Sequence, residues 1–96
     1  MLTIEIIKTE IEHIAKEYNM KKVYVFGSYA KGLEKEDSDV DLLVEKPPNM
    51  SLISMSSFLS KAREALGISV DVISTKYPNK DFLKGIWDDK VLIYEE

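Results

Sequence analysis

The chain has 96 residues, 45% hydrophobic and 31% charged, enough apolar material for one small core, so residues 1–96 are read as a single domain. The absence of cysteine, at a formal net charge of −4, excludes disulfides and thiolate metal sites, and the lone histidine, His13, argues against zinc. No apolar run approaches the roughly 20 residues of a membrane span, and the opening MLTIEIIKTE has acids where a secretory signal is basic and then apolar, so a cytoplasmic protein is expected.

Ile4, Ile7, Ile11, Ile14 and Tyr18 recur at helical spacing, with Glu5, Lys8, Glu12 and Lys16 toward the other side. The pattern predicts an amphipathic helix from Thr3, its N-cap, to about Asn19, with its apolar stripe against a sheet. Val23 to Phe26 is a β-rich run ending at Gly27, and Val40 to Val44 is another. The link between them, Gly27 to Ser38, is short for a parallel crossover. The two strands are therefore expected to be antiparallel, the end of the first beside the start of the second. Lys46-Pro47-Pro48-Asn49 stops the sheet, because proline lacks the donor that a ladder needs. A helix follows, with Leu52, Met55, Leu59, Ala62 and Leu66 on its inner face and Gly67 past its end. Ser69 to Ile73 reads as a third strand, and its helical crossover predicts that it lies parallel to and beside the second. Pro78 and Asn79 open a last helix to about Asp88, with Phe82, Leu83, Ile86 and Trp87 turned inward; Val91 to Tyr94 follows as a short strand or extended tail.

Leu33 to Glu45 concentrates the charge: Glu34, Glu36, Asp37, Asp39, Asp41 and Glu45 stand against Lys35 alone. Glu34, Glu36 and Asp37 read as a solvated loop. Lysine and arginine are not clustered anywhere, which excludes an extended nucleic-acid track. Asp39 and Asp41 differ from the loop acids, because residues i and i+2 of a strand share a face about 7 Å apart and two carboxylates there repel. A cation between them removes the conflict. Mg²⁺ usually takes one or two carboxylates and completes its shell with water and substrate phosphates, which points to a nucleotide. The Gly27-Ser28 turn suits that ligand: Gly27 lets backbone approach a phosphate, Ser28 offers a hydroxyl, and the turn's amides can form an anion-binding concavity. Asp71 is the single charge among the β-formers of the third strand. It reads either as a third member of the acidic group or as an edge-strand residue facing solvent.

The spacing G-S-x10-D-x-D resembles the signature of the DNA polymerase β-like nucleotidyltransferase superfamily. Gly27, Ser28, Ala30, Gly32, Ser38, Asp39, Asp41, Leu42 and Val44 match the pattern GSxARGxxxxxSDxDLxV of its minimal nucleotidyltransferase branch, which includes antitoxins that work with a HEPN-domain partner. Lys31 stands where arginine is usual, keeping the charge without the planar fork. The motif spans about a fifth of the chain, and its glycine, serine and aspartate positions recur in the expected strand-turn-strand context.

The resemblance implies an α+β fold with a polymerase β-like core, a mixed sheet of three to four strands packed with helices. It implies a nucleotidyltransferase with Asp39, Asp41 and Asp71 as catalytic and metal-binding residues, and with Gly27, Ser28, Lys31 and Gly32 contacting the nucleotide. Two Mg²⁺ ions and ATP as donor come with it. So does a HEPN-like toxin protein as acceptor, since longer relatives carry acceptor-binding domains that these 96 residues lack. Two other readings stay open: a non-catalytic antitoxin that masks its partner by contact, and transfer to a small molecule. A homo-oligomer is compatible with each.

Overall fold

The Thr3 hydroxyl accepts a hydrogen bond from the Ile6 amide at 3.2 Å and opens helix α1 (Ile4–Glu17), as its place before the apolar stripe predicts. The elements that follow in this computed structural model are β1 (Lys22–Phe26), α2 (Ser28–Lys31), β2 (Val40–Glu45), α3 (Leu52–Leu66), β3 (Val70–Ser74), α4 (Lys80–Trp87) and β4 (Val91–Glu95). The structure describes residues 2–35, 37–76 and 79–96. Glu36 of the acidic loop and Pro78, expected to open the last helix, lie outside the described residues; α4 begins from Asn79, whose side chain accepts from the Phe82 amide at 3.0 Å.

The sheet order is β3-β2-β1-β4. β1 and β2 are antiparallel, as the short link between them requires, and β2 and β3 are parallel, as the helical crossover requires. β4 is a full strand rather than a tail and pairs antiparallel with β1. Among the described residues the result is a mixed four-stranded sheet with four helices, the α+β architecture expected from the sequence.

Alternation along the strands divides the side chains between two faces. Val23, Val25, Val40, Leu42, Val44 and Val70 are fully buried and form one core with Ile7, Ile11 and Ala15 of α1 and Phe58 and Ala62 of α3. Tyr18 meets Phe58 edge to face at 5.8 Å between centroids, and its hydroxyl is hydrogen-bonded to Ser57 Oγ, so a polar contact locks the two helices together. The opposite face carries Tyr24, Phe26, Asp41 and Asp71. There α4 lays two rings on the sheet, Phe82 on Phe26 and Trp87 on Tyr24, each with centroids 6.5 Å apart.

Two inner faces differ from the expectation. Leu52 is 83% exposed, and the core-facing residues of α3 are Met55, Phe58, Leu59, Ala62 and Leu66. Helical spacing identifies the stripe correctly but leaves open at which turn packing begins. In α4 no residue is buried; Phe82 and Trp87 stay 39% and 45% exposed while touching the sheet, and Leu83 and Ile86 are half-buried. Among the described residues no helix is long and apolar enough to cross a membrane.

Candidate active site

β1 ends at Phe26, which pairs with Asp41 of β2, so the turn that leaves β1 passes directly over the Asp41 side chain. That turn begins at Gly27 with φ 74° and ψ −150°, a region open essentially to glycine alone. A Cβ placed there would overlap Oδ2 of Asp41. Ser28 then starts the single turn of α2, which Gly32 closes in the left-handed conformation at φ 70°. The Leu33 amide donates to the Ser28 carbonyl at 2.9 Å and fixes the exit. Gly27, Ser28, Lys31 and Gly32 thus form one compact rim beside Asp41.

The second half of the site comes from β2 and β3. Their parallel register sets Asp41 beside Asp71, and the Val40 amide donates to the Ser69 carbonyl at 3.0 Å, anchoring the start of β2 on the neighbouring strand. Asp39 lies just before β2, two residues from Asp41, and near enough for its charge to act on the Asp41 carboxyl. Asp41 is half-buried, whereas Asp39 and Asp71 are exposed. Asp71 therefore has both properties weighed for it from sequence: it faces solvent on an edge strand, and it stands in register with Asp41.

The electrostatics reflect this grouping. Burial first, then the Asp71 carboxylate, then that of Asp39 push the Asp41 carboxyl above the ordinary aspartate range. Asp41 thus feels both neighbouring acids. Among the described residues, however, no group of three or more acidic, histidine or cysteine side chains converges tightly enough to hold a metal ion as it stands. Their chemistry nevertheless fits Mg²⁺: the grouped donors are hard carboxylate oxygens, and the missing side chain at Gly27 lets the turn lie directly against Asp41 Oδ2.

Two residues at this rim have roles not seen in the motif. Ser38 Oγ accepts from the Lys35 amide at 2.7 Å while the Ser38 amide donates to the Lys35 carbonyl at 3.0 Å, so Ser38 shapes the loop that delivers Asp39. Asp89, between α4 and β4, lies 3.5 Å from the ammonium of Lys31. No local pattern marks that pair, since its members belong to different ends of the chain. A cleft of about 380 Å³ lined by Glu17, Tyr18, Pro47, Pro48, Met50 and Ser54 contains none of the site residues, and its proline wall follows the far end of β2.

Gly27→Ala tests the close approach. It is expected to lower stability by about 1–3 kcal/mol through backbone strain alone, with displacement of Asp41 adding to that. Gly32→Ala falls in the left-handed region, which other residues can enter, and has no neighbour within 4 Å, so it should cost less on both counts. Thermal melts of the two variants check this, and equal losses would mean that the Asp41 contact is unimportant.

The chain matches the family model for polymerase beta nucleotidyltransferases over residues 9–96. It is similar to the protein adenylyltransferase MntA of Thermococcus cleftensis, 36% identical over 77 residues that cover 76% of this chain and 78% of that protein. Its fold is similar to that of a chain in the crystal structure of a toxin-antitoxin with AMP-PNP, with a TM-score of 0.80 at 19% identity over 93% of this chain and 73% of that one. A chain in the structure of a tri-AMPylated Shewanella oneidensis HEPN toxin in complex with MNT antitoxin gives a TM-score of 0.74 at 16% identity, covering 96% and 72%.

Proposed function

This chain belongs to the polymerase beta nucleotidyltransferase family as a minimal nucleotidyltransferase, and we propose that it moves AMP from ATP onto a hydroxyl side chain, tyrosine first, of a HEPN-like toxin. Residues 1–96 act in this reading as one cytoplasmic domain. The observation that carries it is the meeting of Gly27 with Asp41 and of Asp41 with Asp71, which sets a glycine-serine turn and an acidic group side by side on the sheet face opposite α1 and α3.

Gly27 and Gly32 shape the turn so that phosphate oxygens reach its backbone, Ser28 offers its hydroxyl, and Lys31 supplies positive charge to the outer phosphates. Asp39 and Asp41, joined by Asp71, would hold Mg²⁺. When bound, Mg²⁺ supplies charge neutralisation at the phosphates between which the bond breaks. The acceptor oxygen forms a bond to the α-phosphorus, and the bond from that phosphorus to the bridging oxygen breaks, releasing pyrophosphate. Asp71, exposed at the edge of the sheet, stands where an incoming hydroxyl can reach it and takes the proton at its carboxylate.

ATP and a protein acceptor are drawn from the relatives. One is named a protein adenylyltransferase, and the structural neighbours include a toxin-antitoxin with AMP-PNP and an AMPylated HEPN toxin with its antitoxin. An AMP group on a tyrosine removes a donor hydroxyl and adds a bulky anion, which would oppose RNA in a basic cleft.

The test mixes a HEPN-like partner with this protein, with and without Mg-ATP, and follows intact mass, nucleotidylated peptides and cleavage of RNA. The partner is expected to gain one or more AMP units and to lose activity only when nucleotide is present. Complete neutralisation without nucleotide, and no modified peptide with it, would establish masking by contact instead.

A further inference from the structure

Lys31, the last residue of α2, does not stand alone at the rim: its Nζ lies 3.5 Å from Oδ2 of Asp89, with the two side chains 48% and 45% exposed. Asp89 precedes β4, whose Val91 pairs with Val25 near the end of β1, so the ion pair joins the turn leaving β1 to the turn entering β4. The backbone of that turn is held in place. The Asp89 amide donates to the Ile86 carbonyl at 3.3 Å. The next residue, Lys90, donates to the Trp87 carbonyl at 3.0 Å, and its ammonium sits 4.0 Å from the Trp87 ring centroid and 5.1 Å from that of Tyr24. Helix end and cation–π contacts together hold the backbone on both sides of Asp89.

We propose that Asp89 is a built-in competitor of the nucleotide's outer phosphates for Lys31, holding the ammonium at the rim before ATP arrives and reclaiming it as pyrophosphate leaves. The proposal rests on the reading of Lys31 as a phosphate contact. Its sign follows from charge. A carboxylate that holds the Lys31 ammonium must give it up before that charge can serve the phosphates, and a lysine ammonium is a mobile point charge that exchanges readily between anionic partners. A half-exposed pair is weak, so a triphosphate displaces Asp89 at a small cost in affinity, about two- to five-fold. Asp89 thus acts through Lys31 as a positioning residue, trading nucleotide affinity for product release.

Titration calorimetry with Mg-ATP and with AMP, on wild type, Asp89→Asn, Lys31→Met and the double variant, tests this. Circular dichroism melts establish that each variant is folded. Asp89→Asn is expected to bind Mg-ATP about two- to five-fold more tightly and AMP as wild type does, because AMP lacks the outer phosphates. Lys31→Met should weaken Mg-ATP binding, and adding Asp89→Asn to it should restore nothing. Unchanged or weaker Mg-ATP binding in Asp89→Asn, an equal gain for AMP, or the same gain in the Lys31→Met background would each overturn the assignment. Wild type that binds Mg-ATP while Asp89→Asn matches it sinks only the Asp89 proposal; wild type that binds no Mg-ATP sinks the nucleotide reading of the site together with it.

Discussion

Asp41→Asn is expected to melt at a higher temperature than wild type at pH 7 without divalent cation, and to lose transfer activity by about 10²–10⁴-fold. The two effects have one cause. Burial, then Asp71, then Asp39 raise the Asp41 carboxyl above the ordinary range, so the folded chain binds this proton more tightly than the unfolded chain does. The resulting stability is fully present below the unfolded value of about 3.9 and is lost as pH rises through the raised folded value. Above that folded value the wild type carries an ionised, half-buried carboxylate beside two other acids, and asparagine relieves it at nearly the same shape. The advantage should vanish below about pH 4, where wild type is protonated too. Because Asp41 is only half-buried, solvent screens much of the repulsion and the gain in melting temperature should be modest. Melts in a chelator at several pH values, set beside AMP transfer to the partner, measure both halves. A variant that melts lower at pH 7 would show that Asp41 is a structural residue, and one that transfers at the wild-type rate would remove it from the reaction.

The site could be read from the sequence where its geometry is local. The two-residue spacing keeps Asp39 close to Asp41 although β2 begins only at Val40, and the short Gly27–Ser38 link makes β1 and β2 antiparallel before any packing is considered. Thr3 and Gly67 punctuate helices by their own hydrogen-bonding and conformational properties, and both do so in the structure. The features that escaped are tertiary. That Phe26 pairs with Asp41, so that Gly27 must lie against its carboxylate, depends on register, which the motif's spacing does not state. Leu52 continues the stripe of α3 but belongs to a turn that extends beyond the core, and Phe58, outside the inner face read from sequence, is fully buried. The Lys31–Asp89 pair depends on β4 being a strand against β1, where sequence left a choice between strand and tail. The same pairing makes β3 and β4 the two edges, so the valines beside Asp71 are a poor guide to its own exposure: one face of that strand meets the core and the other meets solvent.

That exposure gives Asp71→Asn a different expected outcome from Asp41→Asn. The Asp71 side chain stands on the solvent side of an edge strand, and asparagine preserves its volume and the β3 backbone pairing, so the variant should fold and melt close to wild type. Its transfer rate should nevertheless fall by about 10²–10⁴-fold if the carboxylate takes the acceptor's proton, the usual contribution of a positioned general base. The loss should appear in kcat, while the KM for Mg-ATP changes less, because the turn of Gly27, Ser28 and Lys31 lies on the other side of Asp41 and is untouched. Single-turnover transfer to the partner at saturating Mg-ATP separates the two parameters. Loss of folding would mean that Asp71 supports the β2–β3 pairing instead. A folded variant with wild-type turnover would leave Asp39 and Asp41 as the working pair and require the acceptor hydroxyl to lose its proton to some other group.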